Sequence, residues 1–263
     1  DYDGNAHTVE GYVATASTPL YDVTANIQFT GAATATRTDA GTTNMGLTAD
    51  QFSNTSPNFS TVTFVVTDGW QKIDPISATV TIAGNNATSD YDGMAHTAEG
   101  YVATANTPLY KVDTIRFAGA ATATRTDAGT TNMGLAADQF YNTDANFTNV
   151  TFVVTDGFVT INPIEATVEI VGNNNTTEYD GNAHTVEGYV ATASTPLYDV
   201  TANIQFTGAA TATRTDAGTT NMGLAADQFS NTNPNFSTVT FVVTDGFQTI
   251  TPVAGKVTVT VTE

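Results

Sequence analysis

The chain of 263 residues carries 26 acidic side chains against seven Lys plus Arg, a net charge of −19, and contains no Cys. That charge repels phosphate backbones and anionic lipid, and the lack of thiols removes disulfides, thiolate nucleophiles and Cys-based zinc sites. No apolar run is long enough to cross a bilayer, while 40% hydrophobic residues suffice for folded cores.

Self-similarity organises everything else. Tyr-Asp-Gly occurs at Tyr2, Tyr91 and Tyr179, a period of 89 and then 88 residues. Each copy continues through a His (His7, His96, His184), Thr-Pro-Leu-Tyr, Thr-Asp-Ala-Gly-Thr-Thr-Asn-Met-Gly-Leu and Val-Thr-Phe-Val-Val-Thr-Asp-Gly, to Ile-x-Pro at Pro75, Pro163 and Pro252. Such a period suits a small domain. The expected organisation is repeat 1 over 1–75, repeat 2 over 76–163, repeat 3 over 164–252, and an extra strand over 253–263. Residues 2–73 and 179–250 differ at only four positions (48, 56, 70 and 72 in the first copy), so identity between repeats cannot by itself mark a site. Without a starting Met, leader or sorting signal, the sequence is expected to be a piece of a longer protein.

In chain order through the middle repeat, Ala78–Ile82 alternates small or polar with apolar residues and predicts a half-buried strand. The runs His96–Thr104 and Ile115–Arg125 are β-branched or aromatic and bounded by turn residues, so each predicts a strand. Leu135–Phe140 is the only helix candidate and is too short for more than a turn or two. Asn149–Thr155 is the strongest strand, with Val150, Phe152 and Val154 on one face. Asp156-Gly157 fits a tight hairpin turn, Phe158–Ile161 the return strand, and Pro163 its stop. The fold class expected is all-β, three tandem immunoglobulin-like sandwiches, with β-grasp domains as the alternative. Phe64, Phe152 and Phe241 read as core, and Trp70, Phe158 and Phe247 as partly exposed.

Tyr-Asp-Gly-x-x-His, Asp-Ala-Gly-Thr, Asn-Phe-x-x-Val-Thr-Phe and the closing Ile-x-Pro together resemble the tandem repeats of bacterial cell-surface, adhesin-like proteins, those termed MBG or YDG. The resemblance spans all three repeats. It implies an exported multi-domain stalk or adhesin at the cell surface and brings no catalytic residues with it.

The search for chemistry is sparse. One His per repeat suggests a hydrogen-bonded structural His, and no serine-nucleophile elbow occurs. No enzyme and no cofactor are expected. The one metal candidate is Ca²⁺ at the domain junctions, held by the acid pairs Asp1 and Asp3, Asp90 and Asp92, Glu178 and Asp180. The full calcium-loop ligand set is missing, and a solvated Asx-turn is the simpler reading. Arg37, Arg125 and Arg214 each precede an Asp by two residues (Asp39, Asp127, Asp216), which suggests a local ion pair or a clamp on an acidic loop such as the Tyr-Asp-Gly turn. No Lys recurs among the repeats, so a Lys–Asn cross-link in every domain is excluded. Repeat 1 lacks an opening strand, and Val257–Val261 forms a surplus alternating one. Donor-strand pairing between chains, completion of the preceding domain and truncation of a continuous array all fit that pattern. The expected function is a non-catalytic stalk or spacer of a bacterial surface adhesin or filament. Its partners are neighbouring repeats, with a host glycan- or mucin-binding module as the alternative.

Overall fold

The computed structural model describes residues 1–263. The chain is all-β and sandwich-like: short strands form two- and three-stranded sheets, and helix is confined to Val23–Asn26 and single 3₁₀ turns. By contacts it divides into two compact units. One comprises residues 1–85, 100–121 and 133–157; the other comprises 86–99, 122–132 and 158–263. The division falls inside the second repeat, which contributes strands to both.

In the first unit, Ile76–Gly84 is a central strand, with Tyr101–Ala105 antiparallel on one edge and Phe147–Thr155 parallel on the other. Its alternation places Ala78, Val80 and Ile82 inward, none more than 4% exposed. Against them pack Tyr110, Leu135, Phe140 and Phe147, and the rings of Phe117 and Phe140 stack at 4.7 Å. Residues 1–75 in this unit supply three antiparallel pairs: His7–Glu10 with Thr34–Arg37, Ile27–Phe29 with Phe52–Asn54, and Gly41–Asn44 with Trp70–Ile73.

The second unit repeats the plan around Ile164–Gly172, which pairs antiparallel with Tyr189–Ala193 and parallel with Phe236–Thr244. Its core gathers Val168, Ile170, Tyr198, Leu224, Phe229 and Phe236. Here too lie two sheets with parallel edges. Asn86–Asp90 runs along Phe158–Asn162, and Asn174–Glu178 along Phe247–Thr251.

Several local expectations change. His96–Thr104 is two strands, His96–Glu99 and Tyr101–Ala105, broken at Gly100 with φ +80°. Ile115–Arg125 likewise splits into Ile115–Phe117 and Thr122–Arg125. Asp156-Gly157 makes no hairpin: Phe147–Thr155 pairs with Ile76–Gly84, whereas Phe158–Asn162 pairs with Asn86–Asp90 and Gly129–Asn132. Gly157 is needed for close approach instead, since a Cβ there would stand 2.5 Å from the Asn85 carbonyl oxygen. Asp156 is used as an acceptor, taking the N–H groups of Gly134 and Leu135 at 2.9 Å each. The helix candidate contracts to a 3₁₀ turn, Ala137–Gln139. No helix packs on a sheet in the way a β-grasp arrangement requires.

Candidate repeat junction

The recurring motifs converge where one repeat meets the next. In the first unit, Tyr2 packs its ring edge-on against Phe147 at 5.8 Å, and its N–H donates to Asp74 O at 2.9 Å. Gly4, with φ +79°, lets the turn lie against Leu109, whose Cδ2 would sit 3.2 Å from a Cβ added there. Asn146 completes the contact. Its Oδ1 accepts the Ala40 N–H at 2.6 Å and its Nδ2 donates to Asp39 Oδ1 at 3.1 Å.

The second unit builds the same junction from equivalent residues. Tyr91 meets Phe236 at 5.9 Å, and Leu197 lies against Gly93. Asn235, 6% exposed, accepts from Ala128 N–H at 2.6 Å and donates to Asp127 Oδ1 at 2.9 Å. A buried amide that satisfies both a backbone donor and a carboxylate fixes position and orientation together.

The arginines shape the loop that the Asn reads. Arg37 Nη2 donates to Ala40 O at 2.6 Å and Arg125 Nη2 to Ala128 O at 2.6 Å, and Nη1 of each reaches a Thr hydroxyl, Thr43 or Thr131. The guanidinium lies against Gly41, Gly129 or Gly218, all at positive φ, and a side chain there would displace it. The expected Arg–Asp ion pair does not form. Two-residue spacing fails because the chain turns after the Arg, so the guanidinium meets carbonyls, including Asp127 O at 2.7 Å, while the Asp39 and Asp127 carboxylates face the following repeat. Nor does the Arg clamp the Tyr-Asp-Gly turn.

Within each Tyr-Asp-Gly turn the carboxylate is occupied locally. Asp3 Oδ1 accepts from Asn5 N–H and pairs with His7 Nε2, both at 2.9 Å. Asp92 does the same with Met94 N–H and His96 Nε2, and Asp180 with Asn182 N–H and His184 Nε2. The Asn5 backbone N–H and then His7 hold Asp3 down at about 2; Asn182 N–H and His184 do the same for Asp180, also to about 2. The other acids of the calcium candidates are used elsewhere. Asp90 accepts from Asn162 Nδ2 at 3.2 Å, Glu178 from Ala254 N–H at 3.3 Å, and Asp1 is exposed. No three acidic or His side chains cluster as a metal site.

The junction residues Asn146, Asn235, Leu109 and Leu197 were not singled out by sequence reasoning. Their signal is present, since Asn-Phe and Pro-Leu-Tyr recur in all three repeats, but near-identical copies make every residue recur. Comparisons with protein-family profiles, curated proteins and solved structures return no match.

Proposed function

We propose that this chain is a non-catalytic structural array, a stalk or spacer of a bacterial cell-surface adhesin or filament. The observation that carries the reading is the parallel pairing of the strands by which the chain enters and leaves a repeat. In repeat 3, Ile164–Gly172 lies along Phe236–Thr244 and Asn174–Glu178 along Phe247–Thr251. Tension applied at the two ends of such a pair loads its hydrogen bonds in shear and together, instead of opening them one after another. The junctions support the same reading, because both use a Tyr, a Leu and an Asn at equivalent positions. The resemblance to MBG or YDG repeats supports the surface location, and the low Lys and Arg content limits trypsin-like cleavage.

Single-molecule pulling on the full chain tests this. Repeat 3 should rupture in one high-force event, and a low-force, gradual extension would overturn the reading. The glycan-binding alternative has one observation in its favour, the 58% exposure of Trp70. A glycan and mucin array on the folded chain decides it, with binding that Trp70→Ala abolishes as the supporting result.

A further inference from the structure

Repeats 2 and 3 solve one pairing problem with nearly the same strands. The chain enters repeat 2 through Ile76–Gly84 and Asn86–Asp90, which lie parallel to Phe147–Thr155 and Phe158–Asn162, the strands by which it leaves. Repeat 3 uses Ile164–Gly172 and Asn174–Glu178 along Phe236–Thr244 and Phe247–Thr251. The two members of each pair are far apart in sequence. The matching strand of the adjacent repeat, or of another copy of the chain, therefore competes for the same partner.

The first half of each contact cannot tell the repeats apart. Ala78, Val80 and Ile82 are buried in one, Ala166, Val168 and Ile170 in the other, and Phe152 and Val154 opposite the first set are matched by Phe241 and Val243 opposite the second. The second half differs. Val159, fully buried, stands opposite Ala87, whereas Gln248, equally buried, stands opposite Asn175. Two of the three bonds of Gln248 come from the entering strand of its own repeat. Its Oε1 accepts from Asn175 Nδ2 at 3.1 Å, and its Nε2 donates to Thr177 Oγ1 at 3.4 Å; the third bond runs from Nε2 to Thr249 O at 3.1 Å. Along the chain this position alternates, Gln71, Val159, Gln248, so the strand around Ala87 finds an apolar partner in its own repeat and a Gln in both flanking ones.

We propose that the polar pair Asn175–Gln248 and the apolar pair Ala87–Val159 are a matching device, which holds each entering strand on the leaving strand of its own repeat and disfavours exchange with the adjacent repeat, within one chain or between two copies. The inference goes beyond the stalk reading and does not depend on it. Exchange would set Ala87 opposite Gln248 and Asn175 opposite Val159. The Gln248 Nε2 would keep the Thr249 carbonyl and a hydroxyl, with Ser89 in the place of Thr177, but its Oε1 would lose its donor. Asn175 Nδ2 would lose its acceptor. A buried amide left without its partner carries the full cost of having left water, whereas replacing both partners by apolar groups is nearly neutral. Each exchanged contact is thus disfavoured about tenfold or more. A single buried polar residue fixes register and partner in coiled coils by the same means. Near-identical repeats need such a device most, because their hydrophobic pattern alone does not distinguish one partner from another.

Disulfide trapping during refolding tests this, and the chain has no Cys of its own to interfere. Thr88 stands opposite Thr160, and Thr176 opposite Thr249. The full chain carrying Thr88→Cys, Thr160→Cys and Thr249→Cys is refolded from urea in a glutathione redox buffer, and its disulfides are mapped by peptide mass spectrometry. The thiol at position 88 should join that at 160, with little joined to 249. Adding Asn175→Ala with Gln248→Val makes both repeats apolar, and adding Ala87→Asn with Val159→Gln instead makes both polar. Either change should raise the 88–249 share about tenfold or more. Each introduced pair copies one already folded in the neighbouring repeat, and circular dichroism checks that the variants fold. All four changes together transpose the pairs between repeats and should return the 88–249 share to its original level, which a mere loss of stability would not do. The proposal is overturned if the 88–249 product already exceeds the 88–160 product in the starting chain, if neither double variant raises it, or if it stays high after transposition. None of these outcomes measures the force response of repeat 3, so the stalk reading stands or falls separately.

Discussion

A single amide carries much of the junction. Asn235 is buried and bonded to both a backbone N–H and a carboxylate, so Asn235→Ala leaves the Ala128 N–H without its partner. The expected cost is about 1–3 kcal/mol, read by chemical denaturation. The equivalent Asn58 is exposed, and Asn58→Ala should leave the melt of the monomeric chain unchanged. The Tyr-Asp-Gly carboxylates have a different signature. Asp3 and Asp180 are held at about 2, below the unfolded value, by N–H donors first and His second. A depressed carboxylate stabilises the fold above its unfolded pKa and loses that contribution as pH falls through its folded pKa. Stability from these turns is thus constant from neutral pH to about 4 and declines between there and about 2. Carbon-detected NMR titration should find both midpoints near the lower end. Since these oxygens are already engaged by N–H and His partners, chelation with EDTA should leave the melting temperature where it is.

At the scale of elements, the central strand decides whether its neighbours are strands. Ile170 is fully buried between two partners. Ile170→Ala should cost about 2–5 kcal/mol and loosen Tyr189–Ala193 and Phe236–Thr244 together, visible as faster amide exchange in both. Gly172→Ala should also destabilise, because the facing backbone of Gly246 leaves no room for a methyl. The alternation of Ala78, Val80 and Ile82 was legible, since a strand buried on one face repeats every two residues. The breaks at Gly100 and after Phe117 were not, because the flanking residues keep their β-branched character across the change of partner. Asp156-Gly157 misled for a physical reason as well: Asp-Gly favours a hairpin locally, and here the glycine serves a close backbone approach that only the fold creates.

At the scale of the whole molecule, the charge of −19 is spread as −6, −7 and −6 over residues 1–89, 90–177 and 178–263. Copies of the chain therefore repel one another in dilute salt. Raising salt from about 0.02 M to about 0.5 M should weaken that repulsion, because screening shortens its reach to a few ångströms. Sedimentation across a salt series measures it, and the opposite trend would point to attraction between charged ends.

The amino-acid sequence by itself determined the all-β class, the three-fold repetition, the inward face of each central strand and the lack of thiol chemistry. These follow from composition and from periodicities that a residue carries wherever it sits. Only the tertiary structure decided the strand partners, the role of the Tyr-Asp-Gly turn as a knob on the following repeat, and the turning of Asp39 and Asp127 toward Asn146 and Asn235. The two copies of Tyr-Val-Ala-Thr-Ala at 12–16 and 189–193 show why. One is a strand and the other is not, because a strand is completed by hydrogen bonds to residues far away in sequence, and only the second copy has them.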